Sequence, residues 1–377
     1  MKILALNWRC LRHPQAGGGE INLFEQTRLW AEAGHEVTVL CADPGRARAP
    51  QRDEPMAGAW VRRRGGRFGV YLHTALYLLR HGRRHDRILD VSNGVPFFAP
   101  LFTATPTALQ VHHVHDRQWF SEFPAPIAAF GRFVERRVVP AVYRRRPVVT
   151  VSPTTRDGLL ALGYRDGQLS VVYNGVDLPD PAELQAPLGQ RVLYLGRLRR
   201  YKRVDLLLRA VAALRPRFPE LQLDIAGDGD ARPELEALVQ ELGLDSQVTI
   251  HGFVDDATKA RLLREATVFV NPSMHEGWGI SVVEANAWGC PALAFDVPGL
   301  SAAIRHGETG LLVPEGDRAG FTEALGALLG DPAERARLGG GARRWAEGFS
   351  WDTAARETLE VLASAAQRPL EASLHER

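Results

Sequence analysis

Both halves of the chain repeat one pattern: a short apolar run, a loop, a stretch with apolar residues at helical spacing, then another apolar run. "KILALNW", "HEVTVLCA", "DRILDVS", "TALQVHHVH" and "PVVTVS" read as strands of the first half. "RVLYLG", "LQLDIAG", "QVTIHGF", "ATVFVNP" and "CPALAFD" read as strands of the second. Helices are expected between them, over 23–33, 204–214, 232–242 and 257–264. Strands alternating with helices predict parallel sheets covered on both faces, so the fold class is α/β, with two doubly wound units in series.

A chain of 377 residues is too long for one comfortable core, which agrees with two domains. The join is "YNGVDLPDPAELQAPLGQ", where Asn-Gly, Asp-Pro and several prolines mark a loop and linker. The expected boundaries are 1–177 for the first domain and 178–350 for the second. "FSWDTAARETLEVLASAAQ" reads as a helix opened by Ser350, and residues 351–377 are expected to cross back to the first domain. Two such domains side by side would line a cleft with the C-terminal ends of both sheets, the usual ligand position in open α/β folds.

Composition narrows the class. Apolar residues make up 45% and charged residues 24%, and no apolar run approaches the roughly 20 residues of a membrane span. "MKILALNW" reads as a first core strand rather than a secretory signal, so a cytoplasmic protein is expected. Cys10, Cys41 and Cys290 have neither CxxC nor metal-ligand spacing, which fits reduced thiols. The net charge of +2 is divided unevenly. Residues 1–177 carry 24 Lys and Arg against 15 Asp and Glu, and the remainder 22 against 29. The first half should therefore meet an anionic partner, and "RFVERRVVPAVYRRRP" is its densest basic stretch. A lipid diphosphate, an anionic glycan or a membrane surface would fit, against the alternative of a solvated Arg-rich helix; no nucleic-acid-binding stripe is present.

The candidate chemistry centres on "EGWGISVVEANAWGCP". Gly277 and Gly279 oppose a helix and residues 280–288 allow one, ended by Gly289 and Pro291, which puts Glu276 in a loop and Glu284 in the helix. The first turn offers backbone N–H groups at Ile280 and Ser281 beside glycines, a general arrangement for holding phosphate. "YLGRLRRYKRVDLLLRA" places Arg197 and Lys202 in a loop entering a helix, where two cations would neutralise a diphosphate. Arg199, Arg200 and Arg203 leave open a merely solvated basic loop. "IAGDGDARPELEAL" reads as a turn, since Asp228 and Asp230 would repel phosphate. Gly17, Gly18 and Gly19 stand before a helix without forming GxGxxG, so they suit a phosphate or sugar, or only a tight turn. His112, His113, His115 and Asp116 cluster at a strand end. Neighbours along a strand point to opposite faces, which weakens a metal site, and His115 is the one expected to face the cleft. Two carboxylates beside a diphosphate site suit two polyols, a ribose and a sugar, so the expected ligand is a nucleoside diphosphate sugar.

With those residues in place, the chain resembles the retaining glycosyltransferases of family four, which have the GT-B fold of two Rossmann-like domains. "VSPTTRDGLLALGYRDGQLSVVYNGVD" is similar to the family's interdomain stretch, "GRLRRYK" to its Gly-Arg-Leu-x-x-x-Lys grip, "EGWGISVVE" to its E-x7-E signature and "HGETGLLVPEGD" to its late loop and strand. The resemblance implies that Arg197 and Lys202 bind the donor diphosphate, with Gly18 and Gly19 approaching from the other domain. It implies that Glu276 holds donor sugar hydroxyls, that Glu284 holds the ribose, and that the backbone at Gly279, Ile280 and Ser281 holds the outer phosphate. His115, with His113 as a rival, falls where members carry a histidine near the transferred sugar. No metal is expected in the site, and a UDP- or GDP-sugar is the expected co-substrate. Arg203 stands where members often have glycine, "VPGLSAAI" lacks a frequent glutamate, and Asn286 replaces a usual small or sulphur residue. A nucleotide-sugar epimerase and a non-catalytic nucleotide-sugar binding protein are the alternatives.

Overall fold

The computed structural model describes residues 1–13, 16–45, 52–116, 118–184 and 189–365. Part of the expected linker, 185–188, and the tail from 366 lie outside the described residues. The chain forms two compact units, Met1–Gly175 with the segment from Trp351 onward, and Val176–Ser350.

Unit 1 is built on an eight-stranded sheet: β1 (Lys2–Leu6), β2 (Glu36–Cys41), β3 (Asp53–Met56), β4 (Ala59–Arg63), β5 (Arg87–Ser92), β6 (Thr107–Val111), β7 (Val148–Thr150) and β8 (Leu169–Val171). Their spatial order is β3-β4-β2-β1-β5-β6-β7-β8, so the chain winds outward on one side of β1 and then crosses to the other. All neighbours are parallel except β3 and β4. The purely parallel expectation is corrected here. Ala57 and Gly58, both at positive φ, make a tight two-residue hairpin, and Pro55 sits on the edge strand, where a missing N–H costs nothing.

Side chains alternate across this sheet into two apolar layers. Ile3, Ala5, Leu89 and Ala108 pack with Leu23, Phe24, Trp30 and Leu362 on one face. On the other, Leu4, Leu6 and Ile88 pack with Val70 and Leu78, and Leu109 and Val111 with Val134 and Tyr143. Leu362 belongs to the helix Trp351–Ser364, which returns to unit 1 as expected. Trp30 Nε1 donates to Ala355 O at 2.9 Å and Arg87 Nε to Leu362 O at 2.9 Å, so the return is pinned at both ends of that helix.

Unit 2 holds β9 (Arg191–Leu195), β10 (Gln222–Ala226), β11 (Val248–Gly252), β12 (Val268–Asn271), β13 (Ala292–Asp296) and β14 (Gly310–Pro314), all parallel. Their order, β11-β10-β9-β12-β13-β14, is doubly wound with its reversal between β9 and β12. In open parallel sheets such a reversal, at the C-terminal ends of the strands, is where ligands bind.

Candidate functional site

In unit 2 the loops after β9 and β12 come from adjacent strands, so the motifs of Arg197–Lys202 and Glu276 meet despite their distance in sequence. Met274 N donates to Tyr201 O at 3.0 Å and ties one loop to the other. Lys202, at the end of a short 3-10 turn, gives an N–H from Nζ to Glu276 Oε1, which also accepts from Asn271 Nδ2 at 3.2 Å. The two charged side chains are only 10% and 16% exposed. Burial alone would raise the Glu276 carboxyl, but the ammonium of Lys202, helped by Asn271 and Arg197, outweighs it and holds the group below the usual carboxylate range. Arg197 reaches Tyr201 Oη at 3.4 Å. Its neighbours Arg199, Arg200 and Arg203 pair instead with Asp230, Glu234 and Asp205.

Glycines let the loops after β10 and β13 pack closely against these two. A Cβ on Gly227 would lie 1.8 Å from Gly196 O, and one on Gly299 2.1 Å from Glu276 O. "GDGD" is thus a turn that supports the arginine loop, as expected. Gly279, at φ 78°, caps the helix Ile280–Ala287, whose first intrahelical bonds are those of Val282 and Val283 to Gly279 O. The N–H groups of Ile280 and Ser281 precede that first bond and point out of the helix start. Glu284 lies one turn further along. Its Oε1 accepts from Lys259 Nζ at 3.1 Å, yet burial prevails over that cation and keeps its carboxyl above the usual range. The two acids of the motif therefore have opposed acidities.

In unit 1 the remaining expected residues gather at the other reversal, between β1 and β5. Asn93 Nδ2 donates to Asn7 Oδ1 at 2.6 Å across it. The helix expected from residue 23 starts earlier, at Gly18, because Glu20 reaches back to Gly17 N at 2.8 Å and Gly17 takes the cap. Gly18 and Gly19 are thus the first helical turn. A Cβ on Gly19 would stand 3.3 Å from the His112 ring, whose Nε2 is buried without a partner among the described residues. Burial pushes the His112 imidazole down to about 4.

The strand ends at Val111, so all three histidines follow it rather than alternate along it. The rings of His113 and His115 lie 4.0 Å apart, tilted by 36°. Glu135 orders this loop: Oε1 accepts from His115 N at 2.7 Å and lies 3.3 Å from its Nδ1, while Oε2 accepts from Asp116 N at 2.9 Å and Trp119 Nε1 at 3.1 Å. Burial opposes the charge of Glu135, and these donors together keep its carboxyl low. Among the described residues no group of three His, Cys, Asp or Glu is placed to hold a metal ion.

Glu135, Asn271 and Lys259 are absent from the reading of the sequence. Glu135 lies inside the basic stretch "RFVERRVVPAVYRRRP", and its role rests on a fold-back that no local pattern carries.

A family model described as "Glycosyl transferases group 1" matches residues 182–345, and one described as "Glycosyltransferase Family 4" matches residues 16–180. The chain is 38% identical over 221 residues to a D-inositol 3-phosphate glycosyltransferase of Streptomyces avermitilis, covering 53% of this chain and 48% of that protein. With the like-named protein of Nocardia farcinica it shares 36% over 237 residues, covering 58% and 52%. The chain spans about half the length of these curated relatives. Among solved structures, sucrose-phosphate synthase from Thermosynechococcus elongatus superposes with a TM-score of 0.80 at 22% identity, over 97% of this chain and 99% of that one. Anabaena HepE, in complex with UDP and glucose, superposes with 0.77 at 19%, over 97% and 100%. At these identities the likeness establishes the fold, GT-B.

Proposed function

Because the chain belongs to glycosyltransferase family 4, with its GT-B fold, we propose that it moves a sugar from a nucleoside diphosphate sugar to an acceptor hydroxyl, with retention at the anomeric carbon. The observation that carries this is the joined loop pair of unit 2. Lys202 is hydrogen-bonded there to Glu276, a carboxylate held ionised with the help of Arg197, four residues before the helix that starts at Ile280. An ammonium has three N–H groups, so Lys202 can give one to Glu276 and still offer two to phosphate oxygens. Glu276 Oε1 takes the described bonds, which leaves Oε2 to accept from a sugar hydroxyl. Glu284 accepts from the ribose.

As the bond from the anomeric carbon to phosphate breaks, charge grows on the diphosphate, and Arg197, Lys202 and the N–H groups of Ile280 and Ser281 stabilise it most there. The acceptor oxygen forms the new bond to the same carbon, and its proton passes to the leaving phosphate oxygen. Gly18 and Gly19 give the donor close backbone approach, and His115, oriented by Glu135, contacts the sugar. The protein works without a metal in the site, the cations and helix start serving instead. HepE holds UDP and glucose and the curated relatives are named for D-inositol 3-phosphate, so UDP-glucose and that cyclitol phosphate are the first substrates to try.

Thermal-shift titration with UDP, GDP, ADP and TDP tests the reading, since ligand at a hundred times its dissociation constant adds about 2.7 kcal/mol. UDP should shift the melt alone or most. With the sugar donor, Glu276→Gln should keep the shift and lose about a hundredfold or more in turnover. A folded sample that none of the nucleotides shifts, or a variant at near-normal rate, rejects these roles.

A further inference from the structure

Unit 1 turns an apolar, basic surface outward that the sugar-transfer reading leaves unused. The helix Gly66–His81 directs Val70, Thr74 and Leu78 into the core. Phe68, Leu72, Leu76 and Leu79 lie on its opposite side, exposed by 77%, 65%, 38% and 65%. Spacings of four, four and three keep them in a single stripe. The helix Ala125–Phe133 does likewise, burying Ala128 and Gly131 while Ile127, Phe130 and Phe133 are exposed by 55%, 67% and 57%. Both helices belong to the same side of the sheet. Leu4 and Ile88 face the first, Leu109 and Val111 face the segment continuing the second, and the alternate residues Ile3, Leu89 and Ala108 face away. Two apolar stripes on one side are more than scattered surface residues.

Charge identifies the occupant. From Pro55 to His85 the chain has seven arginines and no acid. Arg80, Arg83 and Arg84 are exposed at the end of the first helix, and Arg137, Arg144 and Arg145 follow the second. None of these six is in an ion pair among the described residues. A second copy docked face to face would set arginine against arginine. An anionic bilayer offers phosphate at the depth of the guanidinium groups and hydrocarbon just beneath, and a helix lying in that plane needs this combination of an apolar stripe and cationic flanks. No helix among the described residues is long and apolar enough to cross a membrane, so the contact would be a surface one.

We propose that this side of unit 1 docks on an anionic lipid bilayer, with Phe68, Leu72, Leu79 and Phe130 entering the headgroup region and the flanking arginines pairing with lipid phosphates. Co-sedimentation of the full chain with vesicles of equal phosphatidylglycerol and phosphatidylcholine, against pure phosphatidylcholine, tests it. The chain should pellet with the anionic vesicles at low salt and be released by high salt. The triple variant Phe68→Ser, Leu72→Ser, Leu79→Ser should lose at least about tenfold in partition, and Arg80→Glu with Arg83→Glu and Arg84→Glu about fivefold per arginine. All six side chains are exposed, so circular-dichroism melts should match the parent. Failure to pellet at low salt overturns the proposal. So does unchanged partition of the serine variant, which would mean electrostatic adsorption alone. A dimer in sedimentation velocity that the serine variant abolishes would also overturn it, assigning the face to a second copy.

Discussion

Glu276 and Glu284 are the same residue type eight positions apart, yet a lysine near enough to outweigh burial keeps the first ionised while burial prevails at the second. Both positions were legible from the glycines around them; their acidities depend on Lys202 and Lys259, which reach them from other elements. The pairing also changes what a mutation means. Glu276→Ala would strand a buried ammonium and cost stability as well as rate, so glutamine is the better substitution. Asn286 is a second case. It is fully buried in its helix, and neither amide atom has a partner among the described residues. Asn286→Ala removes two desolvated polar groups and improves helix propensity, so it should raise stability by about 1–2 kcal/mol, read as a higher urea midpoint at unchanged slope. A lower midpoint would mean that the amide is satisfied. His112 supplies a pH dependence. Its imidazole is held at about 4 against an ordinary 6.5 by burial, so the unfolded chain takes up a proton near pH 6.5 that the folded unit refuses until pH 4. Stability should fall by about 3 kcal/mol as pH drops through that window, and His112→Asn should flatten the fall in urea melts across it.

Elements decide how firmly these residues are held. The loops after β9 and β12 are locked by Met274 N to Tyr201 O and by glycine contacts, and Trp278 is buried against Phe349 at 4.9 Å. The histidine loop of unit 1 depends instead on one side chain, Glu135, which takes two backbone N–H groups and the Trp119 indole. Glu135→Gln keeps the shape but loses the charge and turns one acceptor into a donor facing donors. Amide exchange across residues 112–119 should quicken, and turnover should fall about tenfold or more as His115 loses its orientation. Exchange unchanged from the parent would show that the loop holds itself. Secondary structure was most legible where apolar runs were continuous, as in "KILALNW" and "RVLYLG". It failed at β3 and β4, since "DEPMAGAW" opens on two acids and contains proline and glycine; pairing on an exposed edge makes those residues strands.

For the whole molecule, the segment from Trp351 belongs with a unit whose other residues end at Gly175. It buries Trp351, Ala354, Ala355 and Leu362 on unit 1 and accepts the Trp30 indole. Ending the chain at Ser350 should strip more than about 5 kcal/mol from unit 1, comparable with a domain's total stability, while unit 2 keeps its transition. Calorimetry should then show unit 1 melting earlier or already unfolded, with the nucleotide shift retained; one unchanged transition would contradict the division. The sequence by itself determined the two-unit α/β plan, the loop position of Glu276, the helical position of Glu284 and the cations at 197 and 202, because apolar periodicity, glycine and proline act locally. Only the tertiary structure decided that Lys202 meets Glu276, that Lys259 meets Glu284 and that Glu135 holds His115. Strand order brings distant loops together, and burial then sets the charge of what meets there.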